Sequence, residues 1–425
     1  MPERAAAAAA HRAGAPALVA LLVVAALLRL LGLNEFPRPS ADEGGWVLET
    51  LDWVRTGRVT EAFAEVPGYV LQLAPWLGIT EPPLHVARHV SVLYAVLRVG
   101  LLFALVRHLV PARTTALACA ALLAAGYAAV LSDRRSLVEP MQTTWMLAIV
   151  LAAVHRGPRA LAALAVTTAL ALTTKASAVA VLPVAVLAPW LVPAARARVD
   201  AVDWRRDVLP RVVAVGAGLA LAGLAFWLVA RVDPAAFRHY WVRTLESARP
   251  DADPLAHAGR FGLDPRIVAS LPLELLREEP LVFPLALLGA LAALRHPALR
   301  LPAAWLGCTM LWLAVQIWRV DGHLAITHVP AALLAGLLLT EVATARGAQG
   351  TRWGGRLLAL MLAAGVGRLV VARSMHHDPS APAVQWLRGH VPDTAHVVGA
   401  PYILMRTRVR AESFTTAGDS SYAPS

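Results

Sequence analysis

Residues 16–33 read PALVALLVVAALLRLLGL, an apolar run that contains one charged side chain, Arg29. A helix that crosses the hydrocarbon core of a membrane needs about 20 mostly apolar residues. The run therefore predicts a membrane-spanning helix. The polar sequence LNEFPRPS follows at residues 33–40 and contains no small-residue cleavage site, which favours an uncleaved span over a signal peptide.

The composition of the whole chain agrees with this run. Of the 425 residues, 58% are hydrophobic and 16% are charged, and the mean hydropathy is +0.58. A soluble domain carries about 25% charged residues, so the composition excludes a soluble protein, a disordered chain and a secreted disulfide scaffold. Cys119 and Cys308 both lie inside apolar runs, which leaves no cysteine-based disulfide framework or metal site.

Ten further apolar windows follow the first, and together they predict an all-α integral membrane protein, a polytopic bundle of about 11 transmembrane helices. We expect a disordered cytoplasmic N-terminus at residues 1–15, a transmembrane catalytic domain at 16–372 and a short extracytoplasmic segment at 373–425. The windows lie near residues 16–33, 90–110, 114–131, 141–154, 160–174, 176–193, 212–230, 281–294, 301–318, 324–343 and 357–372.

The arginines indicate the orientation. The formal net charge is +11, but the basic residues cluster in alternate short connectors rather than on one patch, which argues against a nucleic-acid partner. By the positive-inside rule these connectors face the cytoplasm. The long loops near 34–89 and 231–280 then face outward. The pattern predicts a multi-pass protein of the cytoplasmic membrane with an extracytoplasmic active site.

An acidic pair follows the first span, in the sequence SADEGGW at residues 40–46. Two adjacent carboxylates at a membrane surface raise each other's pKa, as does burial, and a carboxylate with a raised pKa is suited to take a proton from a hydroxyl group. Asp42 and Glu43 are therefore candidate catalytic residues. The alternative is that Asp42 caps a helix and Glu43 lies in its first turn.

Two further outward features carry charge. The connector SDRRSLVEP at residues 132–140 contains Arg134, Arg135 and Glu139. Paired guanidinium groups suit phosphate recognition, although a solvated turn with local salt bridges is an equal alternative. Lys175 is the only lysine in the chain and lies between two apolar runs. Its ammonium is suited to binding a lipid phosphate, and snorkelling to the interface is the alternative.

The order of these motifs resembles the GT-C membrane glycosyltransferases, in particular the branch of the protein O-mannosyltransferases and the lipid A aminoarabinose transferase. The resemblance covers about residues 16–340, and the sequence AVQWLR at 383–388 resembles the start of the outward domain of bacterial members. The chain departs from the family at residues 66–69, which read VPGY where a His-Pro-Pro type of motif is common. The motifs are the first span with its Asp-Glu pair and an aromatic residue, RHVS at 88–91, Arg-x4-Glu-Pro at 134–140 and Thr-Lys-x-Ser at 174–177.

The resemblance implies transfer of a hexosyl or pentosyl group from a polyprenyl-phosphate carrier to a hydroxyl acceptor on a glycan, lipid or protein, with inversion. Asp42 falls on the family's general base, Glu43 on its neighbour and Glu139 on the acid that opens the fourth span. Lys175 matches the position that approaches the carrier phosphate, with Arg134 or Arg135 as helpers.

A late segment, RVDGHLAITHVP at residues 319–330, falls where the family lines its donor site. We assign Arg319 and His328 there as candidate phosphate contacts, with hydrogen bonding inside the bundle as the alternative for His328. No cofactor follows from the motifs. The carboxylates of the acidic pair and of Glu139 are the oxygen ligands that a divalent cation takes, but their spacing does not require one.

Two other functions compete with this one. A transporter or lipid-linked sugar flippase would place ionisable residues near the membrane midplane, often on repeat-related helices, whereas here they gather at the outer interface and no internal repeat is apparent. Arg98, inside the second span, is a departure that either pairs with an acid or faces a cavity. A catalytically inactive scaffold would require that Asp42 be dispensable.

The arginine distribution predicts that Asp42, Arg134, Lys175 and the C-terminus are all extracytoplasmic. A cysteine at Ala41 or Ser420 should react with a membrane-impermeant maleimide in intact cells. Labelling that requires opening of the cytoplasmic face would contradict both the topology and the assignment of the active site.

Overall fold

The computed structural model describes residues 15–37, 39–77, 82–192, 202–238, 241, 265–316, 321–375, 381–391, 396–399 and 410–413. The expectations for residues 1–14 and for half of the 231–280 loop lie outside these ranges.

The described chain is largely helical. Two short strands, β1 (His396–Gly399) and β2 (Arg410–Ser413), pair in parallel in the C-terminal segment. The helices are α1 (Ala15–Leu30), α2 (Ala41–Thr56), α3 (Glu61–Glu65), α4 (Pro67–Leu73), α5 (Pro83–Leu109), α6 (Arg113–Ala125), α7 (Tyr127–Asp133), α8 (Glu139–Val154), α9 (Pro158–Thr174), α10 (Leu182–Leu191), α11 (Leu209–Val232), α12 (Pro265–Glu278), α13 (Val282–Ala292), α14 (Arg300–Ala314), α15 (His328–Ala345), α16 (Gly347–Ser374) and α17 (Ala381–His390), and residues 234–238 are also helical.

The helical membrane class is confirmed. Every predicted apolar window falls on a helix. Four helices among the described residues are long and apolar enough to cross a membrane, or five if the pair α6 and α7, bent by 60°, counts as one span. Shorter apolar helices occupy other windows, and the total of about 11 spans stays a prediction. The four are Pro83–Leu109, Trp204–Val232, Gly322–Ala345 and Gly347–Ser374.

The bend between α6 and α7 lies at Gly126. A Cβ atom there would stand 2.9 Å from the carbonyl oxygen of Leu122 and 3.1 Å from Oε1 of Glu279. The same Glu279 oxygen accepts the backbone N–H of Ala128 at 2.7 Å, at the start of α7. Glycine at the bend therefore lets a carboxylate from another part of the chain approach the new helix and satisfy one of its amides.

A buried cluster of charged side chains joins three helices, α1, α5 and α7. Asp133 is fully buried and accepts hydrogen bonds from Nε of Arg29 at 2.9 Å and from Nη2 of Arg98 at 2.6 and 2.8 Å. Of the two alternatives for Arg98, pairing with an acid or facing a cavity, the structure shows the pairing. Because buried charges are costly unless they are paired, this cluster fixes α1, α5 and the end of α7 relative to one another.

The loop between α1 and α5 forms a packed layer on the end of the bundle. Its helices α2 to α4 bury an apolar cluster that includes Val47, Leu48, Tyr69 and Leu73 against the start of α5. The hydroxyl of Tyr69 donates to the backbone carbonyl of Ser136 at 3.1 Å. The loop is therefore positioned directly over the connector between α7 and α8.

Candidate active site

Glu43 is fully buried, and structural partners surround its carboxylate. Arg88 donates to it twice, from Nε to Oε1 at 2.7 Å and from Nη2 to Oε2 at 2.9 Å. The backbone N–H of Ser136 donates to Oε1 at 2.7 Å, and that of Ser40 donates to Oε2 at 3.2 Å. Glu43 therefore ties the start of α2 to α5 and to the connector before α8.

Asp42 is exposed beside this buried glutamate. The N-cap of α2 is Ser40, whose side chain accepts the N–H of Glu43 at 3.2 Å and completes a capping box, so Asp42 is not the cap. Desolvation by the surrounding protein raises the pKa of the Asp42 carboxyl, the nearby Glu139 raises it further, and Lys175 opposes the rise. A raised pKa is the property that suits a carboxylate to accept a proton.

Glu139 and Lys175 form an ion pair beside Asp42. Nζ of Lys175 donates to Oε1 of Glu139 at 2.5 Å. The Glu139 side chain is 5% exposed and that of Lys175 is 20% exposed. Oε2 of Glu139 accepts no hydrogen bond from the described part of the chain. An ammonium has three donors, so Lys175 keeps capacity for a ligand while it is paired.

The neighbouring arginines Arg134 and Arg135 have different surroundings. Arg134 is 2% exposed, and its guanidinium donates to backbone carbonyls at the end of α1 and just beyond it. Those carbonyls would otherwise lack partners, so Arg134 caps the first span. Arg135 makes no side-chain hydrogen bond to the described residues, and it lines a cavity of about 220 Å³.

Three arginines, Arg135, Arg277 and Arg368, line this cavity, and we therefore call it the cationic cavity. His328 and the acid Glu278 line it as well. Arg368 is partly engaged, because it donates to the carbonyls of Glu278 at 2.5 Å and Arg277 at 2.7 Å. His328 lies 3.3 Å from the Glu278 carboxylate. Arg135 and Arg277 remain as guanidinium groups without a side-chain hydrogen bond to the described residues, a pair suited to an anion.

An apolar cavity adjoins the cationic one. Its volume is about 90 Å³, and it shares Tyr127 and Arg368 with the larger cavity. The guanidinium of Arg368 lies 4.1 Å from the centre of the Tyr127 ring, where the two cavities meet. The apolar lining comes from α6, α13 and α16, and includes Leu122, Leu281, Val282, Met361 and Leu362.

Gly322 connects the cationic cavity with the Glu139 pair. It lines the cavity, and a Cβ atom on it would stand 3.1 Å from Oε1 of Glu139. Gly322 therefore borders both Glu139 and the cavity that Arg135 and His328 line. Arg319, the remaining candidate, lies outside the described residues.

The three candidate acids do not form a common ligand cluster. Within the described residues, no group of three or more His, Cys, Asp or Glu side chains is arranged to hold a metal ion. The Glu43 oxygens are bound to Arg88 and to backbone amides, and Oε1 of Glu139 is bound to Lys175. A cation at Glu139 would have to compete with the Lys175 ammonium.

Comparison with known proteins identifies the fold. No protein-family model and no curated protein sequence matches the chain. Among solved structures, it resembles ArnT from Cupriavidus metallidurans bound to undecaprenyl phosphate, with a TM-score of 0.65 and 16% identity over 92% of this chain and 85% of that one. The chain has the GT-C fold.

Two further structures share the GT-C fold with this chain. Apo ArnT from the same organism has a TM-score of 0.66 and 14% identity over 94% of this chain and 86% of its own. The oligosaccharyltransferase AglB from Archaeoglobus fulgidus, in complex with an inhibitory peptide and a dolichol-phosphate, has a TM-score of 0.60 and 12% identity over 93% of this chain and 64% of its own. The GT-C resemblance expected from the motifs is confirmed at the level of the fold.

The sequence alone did not predict the part of the cationic cavity that is formed by Arg277, Glu278 and Arg368. Arg277 and Glu278 lie in the sequence REEP at residues 277–280, and Arg368 lies near the end of α16. The run of charges before Pro280, at the end of α12, was the available signal. Nothing in the sequence places that run opposite Arg135, which lies about 140 residues earlier in the chain.

We expect substitution of Lys175 by Met to raise the pKa of Asp42, because the ammonium lowers that pKa while Glu139 and burial raise it. Carbodiimides modify protonated carboxyl groups, so Asp42 in the variant should stay reactive up to a higher pH. Mass spectrometry of the peptide measures the pH of half-maximal labelling. Arg107→Met serves as the control, because Arg107 lies in the last turn of α5, at the end away from Asp42. An unchanged labelling midpoint in Lys175→Met would contradict the electrostatic arrangement.

Proposed function

We propose that the protein is an inverting membrane glycosyltransferase that moves a sugar from a polyprenyl-phosphate carrier to a hydroxyl acceptor at the outer face of the cytoplasmic membrane. Asp42 is the general base. The observation that carries the proposal is that Gly322 borders both Glu139 and the cationic cavity. Glu139 is paired with Lys175 near the exposed Asp42, and the cationic cavity adjoins an apolar one.

The paired cavities support a lipid-phosphate donor. A polyprenyl phosphate needs cations for its headgroup and an apolar path for its chain. Arg135 and Arg277 provide the cations, and the cavity between α6, α13 and α16 provides apolar walls next to them. Arg134 is not assigned to the phosphate, because its donors already bind backbone carbonyls.

The reaction follows from the chemistry of the donor. Asp42 takes the proton of the acceptor hydroxyl, and the acceptor oxygen forms a bond to the anomeric carbon. The bond between that carbon and the phosphate oxygen breaks, and its electron pair leaves with the polyprenyl phosphate. A single displacement inverts the anomeric centre. A glycosyl phosphate has a good leaving group, so positioning, one base and a cationic cradle suffice.

Lys175 and Glu139 act on the leaving group in this proposal. Lys175 approaches the departing phosphate with the donors that Glu139 does not use, and Glu139 orients the ammonium. His328 lies in the cavity wall but is engaged by Glu278, so we assign it to the shape of the site. Glu43 has a positioning role, because its partners are structural.

The ligands of the similar structures support the donor class. ArnT is bound to undecaprenyl phosphate, and AglB is in complex with a dolichol-phosphate. At 12–16% identity these structures establish the fold, and the sugar and the acceptor of this chain are to be found by assay.

The direct test uses purified protein in proteoliposomes with a panel of radiolabelled polyprenyl-phosphate hexoses and pentoses, together with glycan, lipid and peptide hydroxyl acceptors. We expect label to leave one carrier only when an acceptor is present, and to appear in a product of inverted configuration. Movement of the labelled lipid between leaflets without any transfer would overturn the proposal in favour of a flippase.

Asp42→Asn should reduce transfer by about a hundredfold or more, because the amide keeps the size of the side chain but cannot accept the proton. Binding of the donor should persist. Asp52→Asn, ten residues further along the same helix, makes the same chemical change away from the site and should transfer at the wild-type rate. Near-wild-type transfer by folded Asp42→Asn protein would remove Asp42 as the base.

A further inference from the structure

Lys175 lies at the break where α9 ends and a 3₁₀ helix begins. It is the C-cap of α9, in an extended conformation with φ −163°, and a 3₁₀ helix follows at Ala176–Val181. Lysine has a flexible four-carbon stem. Local hydrogen bonds hold its backbone, from its N–H to the carbonyl of Ala171 at 2.9 Å and from the N–H of Ala178 to its own carbonyl at 3.1 Å. The place of its ammonium on Glu139 depends in addition on the flanking residues, whose side chains two glutamines bind.

Gln72, in the first outward loop, holds the residue before the lysine. Its Nε2 donates to Oγ1 of Thr174 at 3.0 Å and to the carbonyl of Gly68 at 2.6 Å. Its Oε1 accepts from the hydroxyl of Tyr94 at 2.8 Å and from Nε1 of Trp145 at 2.7 Å. Both donors and both acceptor sites of the amide are thus used, which fixes its orientation.

Gly68 brings α4 against the end of α9. A Cβ atom on this glycine would stand 2.8 Å from the backbone carbonyl carbon of Thr173. A larger residue would push the two backbones apart. Gly68 lies in the sequence VPGY at residues 66–69, where the chain departs from the family pattern. This glycine allows α4 to approach α9 closely enough for Gln72 to bind Thr174.

Gln142 holds the other side of the break. Its Nε2 donates to Oγ of Ser177 at 2.6 Å, two residues after the lysine. Gln142 lies three residues after Glu139 on α8, nearly one helical turn away, so both side chains project toward the same region. One helix therefore carries both the acid that binds the ammonium and an amide that binds the segment bearing it.

We propose that Gln72 and Gln142 are positioning residues that hold the segment from Thr174 to Ser177 from both sides and so keep Lys175 on Glu139, beside Asp42. This inference rests on the proposed function for its catalytic meaning. Both glutamines act through Lys175 and neither contacts the substrate.

The test is a double-mutant cycle of Gln72→Met with Lys175→Met. Gln72→Met alone should lower kcat about tenfold to a hundredfold, since a misplacement of about 1 Å can cost about a hundredfold. It should also move the acidic limb of the pH profile to higher pH, in the direction of Lys175→Met. In the Lys175→Met background it should change kcat by less than about twofold, because the group it positions is gone. Equal effects in both backgrounds would overturn the proposal.

A variant of the second glutamine and a control variant complete the test. Gln142→Met tests the other side of the break and should shift the pH profile in the same direction. Thr168→Val, a buried polar-to-apolar change on α9, is the matched control and should leave kcat and the profile unchanged.

Carbodiimide labelling of Asp42 provides a readout that does not depend on transfer. If no donor is turned over, the proposed function fails, yet the labelling midpoint should still rise in Gln72→Met. An unchanged midpoint in both glutamine variants would overturn the positioning role by itself.

Discussion

The site depends on the neutralisation of one buried carboxylate. Glu43 lies in the protein interior, where an unpaired charge would be strongly destabilising, and Arg88 and two backbone amides satisfy it. This arrangement fixes the first turn of α2 against α5 and the connector before α8. The adjacent residue in that turn, Asp42, is consequently held at a defined place near Glu139 while it stays exposed.

The same rule separates the charged groups that have structural partners from those that keep unused capacity elsewhere at this end of the bundle. Asp133 joins Arg29 and Arg98, and Arg134 binds backbone carbonyls at the end of the first span, so these groups hold the bundle together. Asp42, Lys175 and Arg135 keep capacity that the described structure does not use. An enzyme that binds charged substrates retains such groups at a cost in stability.

The sequence predicted the helical membrane class of the protein, and it singled out three residues that the structure places near one another. Apolar runs of spanning length are read directly, and Asp42, Glu139 and Lys175 stood out because charges at a membrane surface are conspicuous. The sequence could not show which member of the pairs Asp42–Glu43 and Arg134–Arg135 is held by structural partners. Adjacent residues on a helix or turn point in different directions, and only the structure shows which direction faces the interior. Arg277, Arg368 and Gln72 reach the site through contacts between distant parts of the chain, which one sequence does not encode in any local pattern.

In the proposed enzyme, Glu43 has a structural role and the adjacent Asp42 a chemical one, and unfolding temperatures test this division most directly. Glu43→Gln should lower the midpoint of thermal unfolding of the purified protein in detergent, because it leaves Arg88 buried without its counter-ion. Asp42→Asn should leave the midpoint unchanged or raise it, since it removes a negative charge that lies near Glu139. A loss of stability in Asp42→Asn as large as that in Glu43→Gln would contradict the account.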